Sequence, residues 1–218
     1  GIVGKYFKTG DFVLKDSYIS VIEAVKHACW MHNKKPEIQW INCEVYENEP
    51  GRLKELEQYD GVIIPGGFGS RGVEGKIAAI KYLRENKIPF FGLCYGLQLA
   101  TIEFARNVCG ISNATSTEID PDGTDQVIHT MPDQIKKLQD KDYGSTMRLG
   151  AYPCDLVEGT VSFQAYGEKS ISERHRHRFE VNNDYRDKLE YGGLKFAGLS
   201  PDNQLVEIIE VPNHPFFV

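Results

Sequence analysis

Cys94 is the residue of this sequence whose surroundings best suit covalent chemistry. It lies in the run Gly92-Leu93-Cys94-Tyr95-Gly96, between an apolar segment that predicts a buried strand (88–93) and an amphipathic segment that predicts a helix from about 96 to 108. Glycines two positions to either side of a nucleophile permit a strained turn that projects its side chain above a sheet. The helix N-terminus should lower the thiol pKa, and the Tyr95 backbone N–H should point where an oxyanion forms.

The other four cysteines suit a plainer interpretation. A lone cysteine is more often a small buried apolar residue than a nucleophile, and that would hold for Cys94 too without its flanking glycines. The chain has five cysteines, an odd number, and no C-x-x-C pair. This spacing predicts neither a disulfide framework nor a zinc site, so we expect no metal and reduced, buried thiols at the remaining positions: Cys29, Cys43, Cys109 and Cys154.

A glycine-rich loop precedes the nucleophile turn by one predicted helix. Gly67-Phe68-Gly69-Ser70-Arg71-Gly72 matches the G-x-G-x-x-G pattern of dinucleotide-binding loops, but that pattern needs an acidic residue about 20 positions further on. The chain has Pro89-Phe90-Phe91 there, so we do not expect a nucleotide. The carboxyl ends of neighbouring parallel strands meet at one edge of a sheet. The Gly66-Gly67 turn is therefore predicted to approach Cys94 and to offer a second oxyanion N–H.

Strands and helices alternate in the first half of the chain. Apolar runs predict strands at 1–6, 38–46, 60–65 and 88–93. Helices are predicted at 52–58, 74–85 and 96–108, and from a cap at Asp16 or Ser17 to about 31. That first helix should bury one face, formed by Ile19, Ile22, Val25 and Cys29. This alternation is typical of right-handed βαβ crossovers and a parallel sheet.

The second half of the chain is dominated by strands, predicted at 126–131, 146–156, 175–181, 194–199 and 205–211 with turns between them. We therefore predict one α/β domain over residues 1–218. Its centre is an open, mostly parallel sheet flanked by helices, and the additional antiparallel strands lie in the C-terminal half.

Composition excludes several classes of protein. The net charge of −6 argues against a nucleic-acid or membrane-surface binder, since both need an excess of basic residues. No apolar run approaches the roughly 20 residues of a membrane helix, and no secretory signal is evident. Together with the reduced thiols, these features predict a cytoplasmic protein.

Several motifs together resemble the class I glutamine amidotransferases, and among them the glutaminase domains of the CTP synthases. The oxyanion-loop motif runs from Pro65 to Lys76 (PGGFGSRGVEGK), and the nucleophile motif is Gly92 to Gln98 (GLCYGLQ). Later motifs of the family are matched by the runs NATSTE (113–118), TMRLG (146–150), RHRHRFEVN (174–182) and VEIIE (206–210). The match covers essentially the whole chain.

The resemblance implies a role for each matching residue. Cys94 would attack the side-chain amide of L-glutamine to give a thioester and ammonia, and Gly67 and Tyr95 would supply the oxyanion N–H groups. Gln98, Glu118 and Arg178 would recognise the amino-acid end of the substrate, next to Gly96 and Leu97 of the nucleophile motif. This agrees with charge, because a zwitterion needs a carboxylate near its ammonium and a cation near its carboxylate.

The resemblance also implies a larger enzyme. In the family, ammonia passes to a synthase domain that aminates UTP to CTP with ATP and Mg²⁺, with GTP as an effector, in a homo-oligomer. The chain contains no Walker A motif, and we expect no cofactor within residues 1–218 and no synthase domain there.

The chain departs from the family pattern at two places. Tyr95 stands where the family usually has Leu, and its ring could alter the pocket wall. The family's general base is a His, followed two residues later by a Glu, in a Q-[FY]-H-P-E-F segment just beyond the motif that reads His214-Pro215-Phe216-Phe217-Val218 here. We therefore expect the domain to lack its C-terminal tail, and His214 belongs to the preceding motif.

Two other functions remain open from the sequence. One is a cysteine hydrolase of γ-glutamyl amides or peptides on the same fold. The other is a non-catalytic, glutaminase-like regulatory module, for which Cys94 would not be unusually reactive. The histidines of the RHRHR run are not expected to be catalytic. Alternation places Arg174, Arg176 and Arg178 on one face and His175 and His177 on the other, where a structural or interface role is expected.

Overall fold

The computed structural model describes residues 1–5, 8–9, 12–13, 18–130 and 147–218. The predicted helix caps Asp16 and Ser17, and the predicted strand ends Tyr6, Met131 and Thr146, lie outside these residues. No helix in the described ranges is long and apolar enough to cross a membrane.

A parallel sheet of four short strands forms the centre of the first half. The strands are β1 (Ile2–Gly4), β4 (Trp40–Asn42), β5 (Val62–Ile64) and β6 (Phe90–Gly92), in the order β4-β1-β5-β6. A two-stranded ribbon, β2 (Lys8–Thr9) with β3 (Phe12–Val13), lies between β1 and the first helix in sequence. Residues 216–218 run parallel to β6: Phe90 N–H donates to Phe216 O at 2.8 Å, and Gly92 N–H donates to Val218 O at 2.8 Å. The C-terminal residues therefore extend this sheet on the side of β6.

The helices of the first half are α1 (Ile19–Met31), α2 (Glu44–Asn48), a 3₁₀ helix (Pro50–Gln58), α3 (Val73–Glu85) and α4 (Tyr95–Asn107). Helices α3 and α4 follow β5 and β6 and pack into the core, with Ile80, Leu83, Leu99 and Ile102 fully buried. Burial of the apolar faces of α3 and α4 against the sheet fixes where each strand ends and each helix begins. That junction is where the predicted chemistry lies.

Antiparallel strands dominate the second half. One sheet has the order β10 (Ser170–His177), β9 (Arg148–Leu156), β12 (Lys195–Leu199) and β13 (Val206–Glu210). A second places β8 (Asp125–Thr130) between β7 (Ala114–Ser116), which is parallel to it, and β11 (Phe179–Val181), which is antiparallel. Two short helices, α5 (Val161–Tyr166) and α6 (Arg186–Tyr191), and a 3₁₀ turn (Asn183–Tyr185) connect them. The predicted α/β fold class is confirmed.

Two predicted strands were wrong in extent. The strand predicted at 38–46 ends at Asn42, whose side-chain oxygen accepts the Glu44 N–H at 3.2 Å and turns the chain into α2. The strand predicted at 175–181 is two strands. The chain pairs with β9 as far as His177, and from Phe179 it pairs with β8 instead. Helices α2, α5 and α6 and strands β2, β3 and β7 were not predicted.

The predicted buried face of the first helix was also wrong in part. Of that helix only Ile22 is buried, against Ile2 in a small cluster separate from the main core. Val25 and Cys29 are half-buried, and Ile19 is 52% exposed. The apolar periodicity correctly located the helix, but the sheet covers only part of the predicted stripe.

Candidate active site

Cys94 lies at the junction of β6 and α4 in a strained backbone conformation. Its φ of 53° and ψ of −100° are rare for a residue with a side chain, and such strain typically costs about 1–3 kcal/mol. A Cβ on Gly96 would lie 2.2 Å from Ile64 O, and a Cβ on Gly92 would lie 2.8 Å from the Gly96 carbonyl carbon. Both flanking positions therefore require glycine, because at this turn the start of α4 packs directly against the sheet.

The Cys94 thiol has a pKa above its ordinary value, contrary to the expectation from the helix N-terminus. The residue is exposed to a pocket, but the surrounding protein atoms exclude enough water from the sulfur to disfavour the thiolate. This desolvation is the largest cause. A hydrogen bond from the Tyr95 N–H lowers the pKa, the charges of Glu118 and Glu180 raise it, and Lys76 lowers it. Helix position alone does not activate this thiol.

The glycine turn after β5 approaches the nucleophile, as the strand topology predicted. A Cβ on Gly66 would lie 3.5 Å from Cys94 Cβ and 3.8 Å from Cys94 Sγ. Its neighbour Gly67 lines the same pocket as Cys94. The backbone of this turn can come close to a substrate bound at the sulfur only because it carries no side chains.

The loop that follows this turn is held by side chains from two other elements. Lys5, just beyond β1, donates from Nζ to the carbonyl oxygens of Phe68, Gly69 (3.3 Å) and Arg71 (3.0 Å). The Tyr95 hydroxyl donates to Gly69 O at 2.8 Å. Within the motif that runs from Pro65 to Lys76, we call residues 66–71 the oxyanion loop.

The position of a carboxylate at this loop argues against dinucleotide binding. The Gly69 N–H, which a phosphate would need, donates instead to Glu118 Oε1 at 2.8 Å. A phosphate at this loop would lie against that carboxylate, so the geometry disfavours an anion there.

A pocket of about 250 Å³ brings most of the predicted site residues together. Cys94 forms part of its lining with Gly67, Gln98, Glu118 and Arg178. These residues come from four separate segments: the oxyanion loop, α4, the loop after β7 and the break between β10 and β11. The pocket thus combines a nucleophile, a backbone turn, a carboxylate, an amide and a guanidinium.

Gln98 and Glu118 present acceptors to this pocket. The Gln98 side chain is 5% exposed and donates from Nε2 to Phe179 O at 3.0 Å. Its Oε1 has no hydrogen-bond partner among the described residues. A buried acceptor without a donor costs free energy, so it suits a bound ligand that donates there.

The remaining predicted residues lie elsewhere. Leu97 lines a second cavity of about 340 Å³ that also opens onto Cys94 and is bordered by Phe216 and Val218. Gly96 is buried beneath the turn, where it contacts Ile64. The Tyr95 ring is 1% exposed and lines neither pocket, so it does not alter the pocket wall.

A buried network of charge borders the second cavity, and the sequence did not single it out. Arg148 donates to Glu180 Oε1 at 3.0 Å and to Glu207 Oε1 at 2.7 Å. His175 Nδ1 and His177 Nε2 lie 2.7 Å apart beside these carboxylates. Burial, then His175 and Arg148, lower the pKa of His177 to about 4, so it is neutral at pH 7.

Three members of this network are ligand types for a metal. The ligand atoms of His175, His177 and Glu207 lie within 4.8 Å of one another. However, the Arg148 guanidinium already pairs with Glu207, and the two imidazoles face each other. A metal ion would have to displace a buried cation from its carboxylates, which is strongly unfavourable. We assign no metal to this cluster.

Comparison with known proteins identifies relatives along the whole chain. Residues 13–218 match the class-I glutamine amidotransferase family. CTP synthases of Carboxydothermus hydrogenoformans and Desulfitobacterium hafniense are 54% and 53% identical over 218 and 217 residues, covering all of this chain and 39% of theirs. The glutaminase domain of a Trypanosoma brucei CTPS, solved with bound acivicin, matches with a TM-score of 0.89 and 36% identity, over 99% of this chain and 81% of that one. The chain spans less than half the length of these curated relatives.

Proposed function

The chain belongs to the class-I glutamine amidotransferases, and within them to the glutaminase domains of the CTP synthase type, and we propose that it hydrolyses L-glutamine through a thioester on Cys94. The observation that carries this proposal is the pocket in which the strained Cys94 meets Gly67, Gln98, Glu118 and Arg178. The matches to known relatives confirm the family resemblance seen in the sequence motifs.

Recognition of free glutamine follows from charge. The substrate's α-ammonium would bind Glu118 and the unpartnered Gln98 Oε1, and its α-carboxylate would bind the Arg178 guanidinium. Hydrogen bonds between charged partners contribute about 1.5–3 kcal/mol each. The side-chain amide then extends to the sulfur of Cys94.

The reaction proceeds in two stages at that sulfur. The Cys94 thiolate attacks the amide carbon, and the oxyanion that forms accepts hydrogen bonds from the Gly67 and Tyr95 N–H groups. The C–N bond breaks as the nitrogen takes a proton and leaves as ammonia. Water then attacks the thioester, which releases glutamate and restores the thiol.

A base must remove the thiol proton, because the pKa of Cys94 lies above its ordinary value. None of the six histidines, all within the described ranges, hydrogen-bonds to that thiol. Val218 pairs with Phe90 and Gly92 in the direction of Cys94, so a strand continuing that way would pass Leu93 and Cys94. We propose that the histidine and glutamate of the family motif follow Val218 in a longer protein and complete the site there.

The fate of the ammonia is part of the same proposal. The relatives carry the name CTP synthase, and this chain matches 39% of their length. We propose that a synthase domain of the same protein uses the ammonia to aminate UTP with ATP and Mg²⁺, under control by GTP, in a cytoplasmic homo-oligomer.

Affinity labelling tests the glutaminase proposal. The longer protein is incubated with a diazo-ketone analogue of glutamine, and the adduct is located by mass spectrometry. We expect labelling at Cys94 alone, prevented by glutamine and lost in Cys94→Ser but not in Cys109→Ser. Absence of an adduct, or an adduct that glutamine does not prevent, would contradict the proposal. Equal protection by γ-glutamyl peptides would indicate the broader γ-glutamyl hydrolase instead.

A further inference from the structure

The Tyr95 side chain occupies a position that the proposed reaction has not yet used. Tyr95 is buried, and two ammonium groups lie near its ring: Lys5 Nζ is 5.7 Å and Lys76 Nζ 5.3 Å from the ring centroid. Cations at these distances are attracted to the face of an aromatic ring. The ring is therefore fixed, and its hydroxyl has a defined direction.

That hydroxyl reaches the oxyanion loop. It donates to Gly69 O at 2.8 Å, and Lys5 Nζ donates to the same oxygen at 3.3 Å. On its other side, the Gly69 N–H donates to Glu118 Oε1 at 2.8 Å. Gly69 has a φ of 71°, so the loop turns sharply here and relies on these bonds for its path. Gly69 lies two residues after Gly67, which supplies one oxyanion donor.

One residue thus contacts both halves of the oxyanion hole. The Tyr95 backbone N–H is one donor, and the Tyr95 hydroxyl holds the loop that carries the other. Leucine, the usual residue of the family at this position, has no hydroxyl and would leave the Gly69 carbonyl without this bond.

We propose that the Tyr95 hydroxyl is a positioning group that sets the separation of the two oxyanion donors by anchoring the oxyanion loop to the nucleophile turn. This inference rests on the proposed glutaminase function. It predicts an effect on the transition state more than on substrate binding, because the oxyanion exists only after the thiolate has attacked.

The test is Tyr95→Phe in the longer protein, which keeps the ring and removes the hydroxyl. A hydrogen bond of ordinary strength corresponds to a loss of about fivefold to tenfold. We expect that loss in kcat for glutamine, with KM changed less than twofold. Affinity for glutamate γ-semialdehyde, which forms an oxyanion with Cys94, should fall by a similar factor. Alkylation of Cys94 by iodoacetamide, which forms none, should be unchanged.

Tyr46→Phe is the matched control. Tyr46 is also fully buried, and its hydroxyl donates to Glu55 Oε1 at 3.0 Å, with no contact to the site. This variant should keep wild-type kcat and semialdehyde affinity. Tyr95→Leu should behave like Tyr95→Phe or lose more.

Two outcomes would overturn the proposal. One is wild-type kcat and semialdehyde affinity in Tyr95→Phe. The other is an equal loss in iodoacetamide alkylation, which would show general damage to the turn. If the wild-type protein is not labelled at Cys94 by the glutamine analogue, the glutaminase function itself has failed. Labelling with an unaffected Tyr95→Phe variant removes only the role of Tyr95.

Discussion

At the scale of single residues, the surroundings of Cys94 disfavour its thiolate form. Desolvation raises the pKa of Cys94, as do the charges of Glu118 and Glu180, while the Tyr95 N–H and Lys76 lower it. Glu118 meanwhile binds the Gly69 N–H. Under the proposed function, the ammonium of glutamine neutralises Glu118 and so removes one cause of the raised pKa. On this proposal, binding of the substrate ammonium at Glu118 would favour the Cys94 thiolate.

The sequence could single out Cys94 as the candidate nucleophile because the signal for it is local. Glycine at both 92 and 96 is required by contacts within five residues and with the adjacent strand. The hydrogen bond from the Tyr95 hydroxyl to Gly69 O could not be predicted from the sequence. It depends on the path of a loop 26 residues earlier in the chain. The pKa of Cys94 was misjudged for a related reason: the local helix terminus was visible, whereas the desolvating pocket walls come from distant segments.

The close packing at Gly96 leads to a prediction at this scale. In Gly96→Ala the new Cβ would lie 2.2 Å from Ile64 O, a backbone atom that cannot move without distorting β5. We expect the free energy of unfolding to fall by about 1–3 kcal/mol and the rate of Cys94 labelling to fall with it. Urea unfolding and labelling by the glutamine analogue measure the two effects.

Gly51→Ala is the control for this change, since a Cβ at Gly51 would meet no atom within 4 Å. It should leave both measurements at wild-type values. Wild-type stability and labelling in Gly96→Ala would show that the helix does not pack on the strand as closely as described.

At the scale of elements, the buried Arg148 joins three strands. It lies in β9 and pairs with Glu180 of β11 and Glu207 of β13, and all three side chains are at most 7% exposed. The sequence predicted these strands but not their junction. The strand predicted at 175–181 was read as continuous, since alternation does not show that the chain changes sheets at Arg178. Arg178 reaches the pocket because of that break, while His175 and His177 remain with Arg148.

Removal of Arg148 should therefore destabilise the antiparallel half. In Arg148→Met two carboxylates stay buried without their cation, and breaking a buried pair in this way typically costs about 3–5 kcal/mol. Even with Arg148 present, burial raises the pKa of Glu180 to about 7. Without the cation, the folded-state pKa of Glu180 rises further above the unfolded value.

The sign of the pH dependence follows from that shift. A carboxyl whose pKa is higher in the folded state contributes stability below its unfolded pKa, and that contribution is lost as the pH rises through the folded value. The deficit of Arg148→Met relative to wild type should be larger at pH 8 than at pH 5, by urea unfolding. Arg52→Ala, which breaks the exposed pair with Glu55, should show little change at either pH. A deficit that is independent of pH would contradict this account.

At the scale of the whole molecule, the candidate active site lies where the two halves of the chain meet. The parallel half supplies Cys94 and the oxyanion loop, and the antiparallel half supplies Arg178 and the carbonyl of Phe179 that holds Gln98. Composition and periodicity were enough to predict this division into halves. They could not show that residues 216–218 return to the first sheet beside β6, because a short apolar run carries no information about its partner.

The proposed division of labour between glutaminase and synthase domains gives the last prediction. If Cys94 serves only to release ammonia, Cys94→Ala in the longer protein should abolish CTP formation from glutamine, with a loss of at least about 10³-fold. CTP formation from added ammonium chloride should stay within twofold of wild type, because the synthase reaction would not involve this pocket. Cys109→Ala, at a half-buried cysteine that lines neither of the two pockets, is the control for both nitrogen sources. Loss of the ammonia-dependent reaction in Cys94→Ala alone would show that Cys94 acts beyond glutamine hydrolysis, and retention of the glutamine-dependent reaction would remove it from the mechanism.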